Sequence, residues 1–280
     1  MKIATPLGTL PDKYGDKKSI ALIKEAGFDG YDYSIESNNH RVFQDDGLEY
    51  TKELRAYTDS INFPCLQAHA PFGYIGGEDD FNKYVAIHLR ALEVCHILGC
   101  PVVVIHPANN FSAEDNYKFM YQKLLPTAEK LNVKIATENM WNWRVPGRLA
   151  IPAACGTAED FNAHIDIANS PFMTGCLDIG HAEMPFAPGA VNMIKGMGKK
   201  HIGALHVHDN NLIDDDHSYP FTGKINWQPI IDALREIEYD GVFTFECSGL
   251  YKKVPEELAL PTLKFLCEIG RYFTNQIEKR

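Results

Sequence analysis

The sequence is short of basic charge. Its 27 Lys and Arg are outnumbered by 37 Asp and Glu, leaving a formal net charge of −10 with His neutral. Phosphate backbones are gripped by Lys and Arg, so this balance argues against a nucleic acid partner. Long hydrophobic runs are missing too. No apolar stretch approaches the roughly 20 residues that span a bilayer, and the opening MKIATPLG has no apolar signal-peptide core. A cytoplasmic protein without membrane association is therefore expected. Paired cysteine motifs are also absent. The seven Cys (Cys65, Cys95, Cys100, Cys155, Cys176, Cys247, Cys267) are odd in number and none stands in CxxC spacing. Several sit in apolar runs, which implies buried reduced thiols rather than disulfides. There is no GxGxxG after the first strand-like run and no P-loop, so neither nucleotide-binding fingerprint is present.

What is there begins with an ordinary globular composition. Of the 280 residues, 45% are hydrophobic and 23% charged, as in soluble enzymes. Strand-like runs alternate with helical patterns along the whole length. Strands are expected at Lys2–Thr5, Gly30–Tyr33, Cys65–Ala70, Pro101–His106, Lys134–Asn139, Gly175–His181, from Ala204 onward, and Gly241–Cys247. Helices are expected after them, near Lys17–Ala26, Leu48–Ile61, Phe81–Leu98, Ala113–Leu131, Ala158–Ala168, Val191–Gly196, Trp227–Ile237 and Leu258–Ile277. Strands alternating with helices imply βαβ units and a parallel sheet. Eight repeats without a linker or a change of composition predict one closed (β/α)8 TIM barrel over residues 1–280. The length suits a fold of about 250 residues.

The stretch ALHVHDNNLIDDDH (Ala204–His217) concentrates the chemistry. Strand side chains alternate faces, so His206 and His208 share one face, with Asp209, Asp215 and His217 following. Imidazoles beside carboxylates suit a divalent cation such as Zn, Mn, Co or Mg. In a barrel the active site lies at the C-terminal ends of the strands. His69, His106, Glu138, Asp178 and Glu246 all fall there, with His181 just beyond Asp178. Alternation aims them inward: Phe243 and Phe245 oppose Glu246, and Ile135 and Thr137 oppose Glu138. One such residue is most often a satisfied structural group. Six strand ends carrying them together are not explained that way.

These residues sit in motifs: HAP at His69, IHP at His106, TEN at Glu138, CLDIGH at Asp178–His181, HVHD at His206–Asp209, DxH at Asp215–His217, and FTFE ending at Glu246. As an ordered set they resemble the xylose-isomerase-like barrel superfamily. It holds sugar isomerases and epimerases, inosose dehydratase and the endonuclease IV family. The resemblance implies one divalent metal ion held by Glu138, Asp178, His208 and Glu246, with His181 on a substrate oxygen. It implies proton transfer next to a carbonyl through an enediolate, with Glu138 and Glu246 as acid and base. His69, His106, His206, Asp215, His217 and Trp141 are expected around the substrate or behind the ligands. Phe72, Tyr74 and Trp143 are rim aromatics, and Arg144 and Arg148 follow Glu138.

One departure stands out. Ketose 3-epimerases of this kind place an Arg six residues beyond the metal His, where this sequence has Asp214. Other isomerisations, or an inosose-type dehydration, stay open. So does an apurinic-site nuclease, because His69, His106, Asp215 and His217 could build a larger metal cluster. The acidic loop PFGYIGGEDDF and the net charge weigh against that nuclease. A small sugar or polyol is the expected partner, and a homo-oligomer is allowed.

Overall fold

The structure is a computed structural model that describes residues 1–279 except Glu36, Tyr74, 145–148, 248–249 and 251–252, without the side chains of Arg144, Leu149 and Ala150. Eight parallel strands form the barrel: β1 (Ile3–Pro6), β2 (Gly30–Ser34), β3 (Cys65–His69), β4 (Val102–Val104), β5 (Lys134–Glu138), β8 (Met173–Asp178), β9 (Ile202–His206) and β10 (Phe243–Thr244). They pair in the order β10-β1-β2-β3-β4-β5-β8-β9. A parallel bridge between Val207 and Phe245 brings the ends together. There the Val207 N–H donates to the Thr244 carbonyl and the Glu246 N–H to the Val207 carbonyl, both at 3.0 Å.

The strands are buried on both faces, which is why they read as apolar runs. Val103, Ile105, Ile135, Leu177 and Leu205 belong to the large outer core beneath the helices. Val102, Val104, Ala136, Cys176 and Ala204 form a separate cluster of small side chains inside the barrel. Continuing that inner alternation by two residues leads to His106, Glu138, Asp178 and His206. The narrow apolar interior thus becomes a ring of ionisable groups at the C-terminal rim.

The helices are α1 (Leu10–Ala26), α2 (Gly47–Ser60), α3 (Glu78–Leu98), α4 (Ala113–Asn116), α5 (Gln122–Leu131), α6 (Ala158–Asp166), α7 (Ile179–Ala182), α8 (Ala190–His201), α9 (Trp227–Glu236) and α10 (Glu256–Ile277). α3 starts with three acidic residues, Glu78, Asp79 and Asp80, which complement its N-terminal dipole. It stops at Gly99, whose φ of 69° lies where glycine has no steric penalty. No described helix is long and apolar enough to cross a membrane. All seven cysteines are buried and free.

Four expectations need revision. α1 begins at Leu10 rather than near Lys17, with a break at Gly15. The helix expected over Ala113–Leu131 is α4, a wide π turn (Tyr117–Tyr121) and α5. That turn precedes the stretch where Pro126 has no N–H to donate. The strand expected through His181 ends at Asp178, and Ile179–Ala182 is a helical turn capped by the Asp178 carboxylate on the His181 N–H. Finally, Trp141–Arg144 (β6) and Leu149–Pro152 (β7) form an antiparallel hairpin where only a loop was expected. The Pro146–Gly147 dipeptide between two β-prone runs was the turn signal for it.

Candidate active site

Among the described residues the metal-capable atoms of the rim form five overlapping groups, the atoms of each within 4.8 Å of one another, and three of these groups together contain every histidine and carboxylate involved. The first joins Glu138, Asp178, His206 and Glu246. Here His206 Nδ1 lies 3.2 Å from Glu138 Oε1, 3.3 Å from Glu246 Oε2 and 4.0 Å from Asp178 Oδ2. The second joins His69, His106 and Glu138. The two Nε2 atoms of that pair are 2.9 Å apart, and His106 Nε2 is 3.1 Å from Glu138 Oε2. The third joins His181, His208, Asp215 and His217. The Asp215 carboxylate lies 3.3, 3.4 and 2.9 Å from the Nε2 atoms of His181, His208 and His217.

The four-residue group differs from the expected one in its histidine. His206, at the end of β9, stands among Glu138, Asp178 and Glu246. His208 lies beyond the strand end, 3.2 Å from Asp178 Oδ1 and stacked at 4.5 Å on the His217 ring. It reaches there because Gly180 has no side chain. A Cβ on Gly180 would come within 1.9 Å of the His208 ring. Asp209, also in the expected motif, is diverted to structure. Its carboxylate accepts from the N–H groups of Asn210, Phe221 and Ile225 and from Trp227 Nε1, pinning the long loop before α9.

The hydrogen bonds show which atoms are left for a ligand. His69 Nδ1 donates to the Ala70 carbonyl at 2.9 Å, His181 Nδ1 to the Asn139 carbonyl at 2.8 Å, and His217 Nδ1 to the Glu246 carbonyl at 2.9 Å. A carbonyl can only accept, so each Nδ1 carries the proton. The Nε2 atoms of these rings face carboxylates, His69 at 3.7 Å from Glu138 and His181 and His217 at 3.3 and 2.9 Å from Asp215. Burial opposes charge on His181, and Asp178 and Asp215 outweigh it and raise that ring well above the usual imidazole range. Lone pairs facing anions repel unless a cation or a proton stands between them. Buried polar atoms are nearly always hydrogen-bonded, yet Glu138 Oε2, Asp178 Oδ2, His208 Nε2 and Asp215 Oδ1 are not. Imidazole nitrogens held by a second hydrogen bond and carboxylate oxygens left over are donors that could hold a divalent metal ion.

Electrostatics agree. Burial penalises the Glu138 carboxylate, but His206 and His106 outweigh it and hold Glu138 well below the usual range. Asp178 is likewise opposed by burial and brought to about 2 by His181 and His208. Burial opposes charge on His208, and Asp178 and Asp215 lift it to about 9. The site is built to keep its carboxylates ionised and to receive positive charge.

Asn139 is a residue that sequence reading passed over. Its Oδ1 accepts from the Asp178 N–H at 2.7 Å and its Nδ2 donates to the Asp178 carbonyl at 2.9 Å. Its place directly after Glu138 was the available signal. Beside the metal-capable ring lies a cavity of about 630 Å³, lined by residues that include Glu138, Glu246, His181, Trp141, Phe72 and Lys253. Lys253 is its one Lys or Arg among the described residues. Trp141 packs edge-on against Trp143 at 4.9 Å and faces His181 at 6.4 Å. Tyr74 and Arg148 lie outside the described residues, as does the side chain of Arg144.

A known family model, the xylose isomerase-like TIM barrel, matches residues 20–269. The chain belongs to the xylose isomerase-like TIM barrel family. A relative from Methanocaldococcus jannaschii, the uncharacterized protein MJ1311, is 30% identical over 243 residues, covering 81% of this chain and 78% of its own. Among solved structures, a D-tagatose 3-epimerase-like protein superposes with a TM-score of 0.75 at 24% identity, over 98% of this chain and 100% of its own. The IOLI protein with a bound zinc atom superposes with a TM-score of 0.72 at 20% identity, over 99% and 98%. At these identities, what the two solved structures share with this family member is the fold.

Proposed function

We propose that this family member is a divalent-metal-dependent sugar isomerase or epimerase, with Glu138, Asp178, His206 and Glu246 holding the ion. The observation that carries this reading is the placement of Glu138 and Glu246. Both flank His206, at 3.2 and 3.3 Å, and both line the cavity. The ion, when bound, would withdraw electron density from a substrate carbonyl and make the adjacent C–H acidic. The side chain of Glu246 is 19% exposed and that of Glu138 1%. Glu246 is therefore the more open group for taking a proton from carbon, and Glu138 completes the acid–base pair. His181, held by the Asn139 carbonyl, offers Nε2 to a substrate oxygen. Trp141 and Phe72 supply apolar wall for a sugar ring. The fold shared with a 3-epimerase-like protein and a zinc-bound protein supports the same reading.

The decisive experiment is turnover of ketoses, aldoses and inososes in heavy water with added Mn, Co, Zn or Mg. Deuterium from solvent should appear at the carbon beside the carbonyl. Turnover without exchange would sink the reading.

One observation favours a second reading. The groups at His69–His106–Glu138 and at His181–His208–Asp215–His217 give room for further ions. Several ions clamping attacking and leaving oxygens suit phosphodiester cleavage. The net charge of −10, and a cavity lining in which Lys253 is the one Lys or Arg among the described residues, weigh against a DNA ligand. Metal analysis separates the two: about one ion per chain supports the sugar enzyme. Close to three, with nicking of abasic DNA, supports the nuclease.

A further inference from the structure

A second cavity of about 330 Å³ opens beside the first. Phe72, His106 and Met140 line both. The first is already large enough for a monosaccharide, so a free hexose leaves the second unused. Its other walls carry three carboxamides, Asn109, Asn110 and Asn142, and among the described lining residues there is no Asp, Glu, Lys or Arg. Such a lining matches neither a phosphate, which calls for cations, nor an amine, which calls for carboxylates. It suits a neutral ligand rich in hydroxyls, because a carboxamide both donates and accepts.

The partition between the cavities has the second feature of a sugar site. Phe72 is 48% exposed and its ring stacks on the His106 imidazole at 4.9 Å with 27° between the planes. Edge contact with His69 at 5.6 Å further fixes it, so an apolar ring stands at the junction. Asn109 is tied by Nδ2 to the Trp141 carbonyl at 3.1 Å, and its Oδ1 has no hydrogen-bond partner. The β6–β7 hairpin thereby positions one wall of the second cavity while Trp141 forms a wall of the first.

Resting on the sugar-enzyme reading above, we infer that the second cavity is a subsite for a further sugar ring. The substrate class is then a glycoside or disaccharide with a reactive carbonyl end, rather than a free monosaccharide. The carbonyl-bearing ring occupies the first cavity and the attached neutral ring packs past Phe72 onto the three carboxamides.

Binding to metal-loaded protein tests this by calorimetry, with D-fructose against the glucosyl-fructoses turanose, maltulose and isomaltulose. At least one disaccharide should bind tenfold or more tightly than fructose. Asn142→Ala and Asn110→Ala should erase that gain and leave fructose affinity unchanged. Fructose binding as tightly as every disaccharide would overturn the inference and leave the sugar-enzyme reading standing. So would carboxamide variants that weaken both ligands equally. Absence of binding by all four sugars would overturn both.

Discussion

The carboxamide of Asn139 grips the backbone of Asp178 at both ends, 39 residues away in sequence, accepting from its N–H at 2.7 Å and donating to its carbonyl at 2.9 Å. The contact joins β5 to β8 at the level of the proposed ligands. It also orients the Asn139 carbonyl that fixes the His181 tautomer. Groups that orient ligands are commonly worth about 10- to 100-fold in metal affinity. Asn139→Ala should weaken zinc binding by that order in a competition titration, with an unchanged circular dichroism spectrum. Unaltered affinity would reduce Asn139 to a fold-stabilising role.

Glu246 is expected to move the proton. Glu246→Gln keeps the shape and a ligand oxygen but removes the base. Positioned general bases contribute about 10²–10⁴-fold, so turnover at saturating metal should fall within that range. Deuterium incorporation should fall with it. Full activity with metal bound would remove Glu246 from the chemistry.

The two histidines of the HxH pair should part company. His206→Ala takes away the nitrogen that lies within 3.3 Å of both Glu138 and Glu246 and should strip the ion on which activity depends. His208→Ala removes a neighbour of Asp178 and Asp215 but leaves His206 between Glu138 and Glu246, and should leave that ion in place. Metal content by mass spectrometry, measured beside activity, checks this. The reverse result would return the metal role to His208.

Acid sensitivity should come in part from His88. Its ring is buried on α3, with Nε2 3.0 Å from the Pro71 carbonyl, and burial lowers its pKa from 6.5 to about 4. Unfolded chains take up this proton below about pH 6.5 and the folded protein does so only near pH 4. The unfolded state binds more protons in that window, so stability is lost as pH falls from about 6.5 to about 4. Such a shift corresponds to at most about 3 kcal/mol. His88→Gln, which keeps a donor for Pro71, should flatten the fall in melting temperature across this window. A variant that loses stability as steeply as the parent would assign the acid sensitivity elsewhere.

How much of this was legible in the chain alone follows from two periodicities. Strand–helix alternation repeated eight times leaves few folds besides a parallel barrel, and side-chain alternation within each strand then decides which residues face inward. Together they put His69, His106, Glu138, Asp178 and Glu246 on one rim before any coordinates. Periodicity cannot rank two inward residues on the same strand. His206 and His208 have the same parity, and only the packing of β9 between β8 and β10 sets which one meets Glu138 and Glu246. The bare backbone of Gly180, brought in from another βα unit, sends the other toward Asp215. The tertiary structure also diverted Asp209 to three loop N–H groups and the Trp227 indole, recruited Asn139 and raised the β6–β7 hairpin beside the cavity. Each of these depends on contacts between segments distant in sequence, and spacing within one segment carries no information about them.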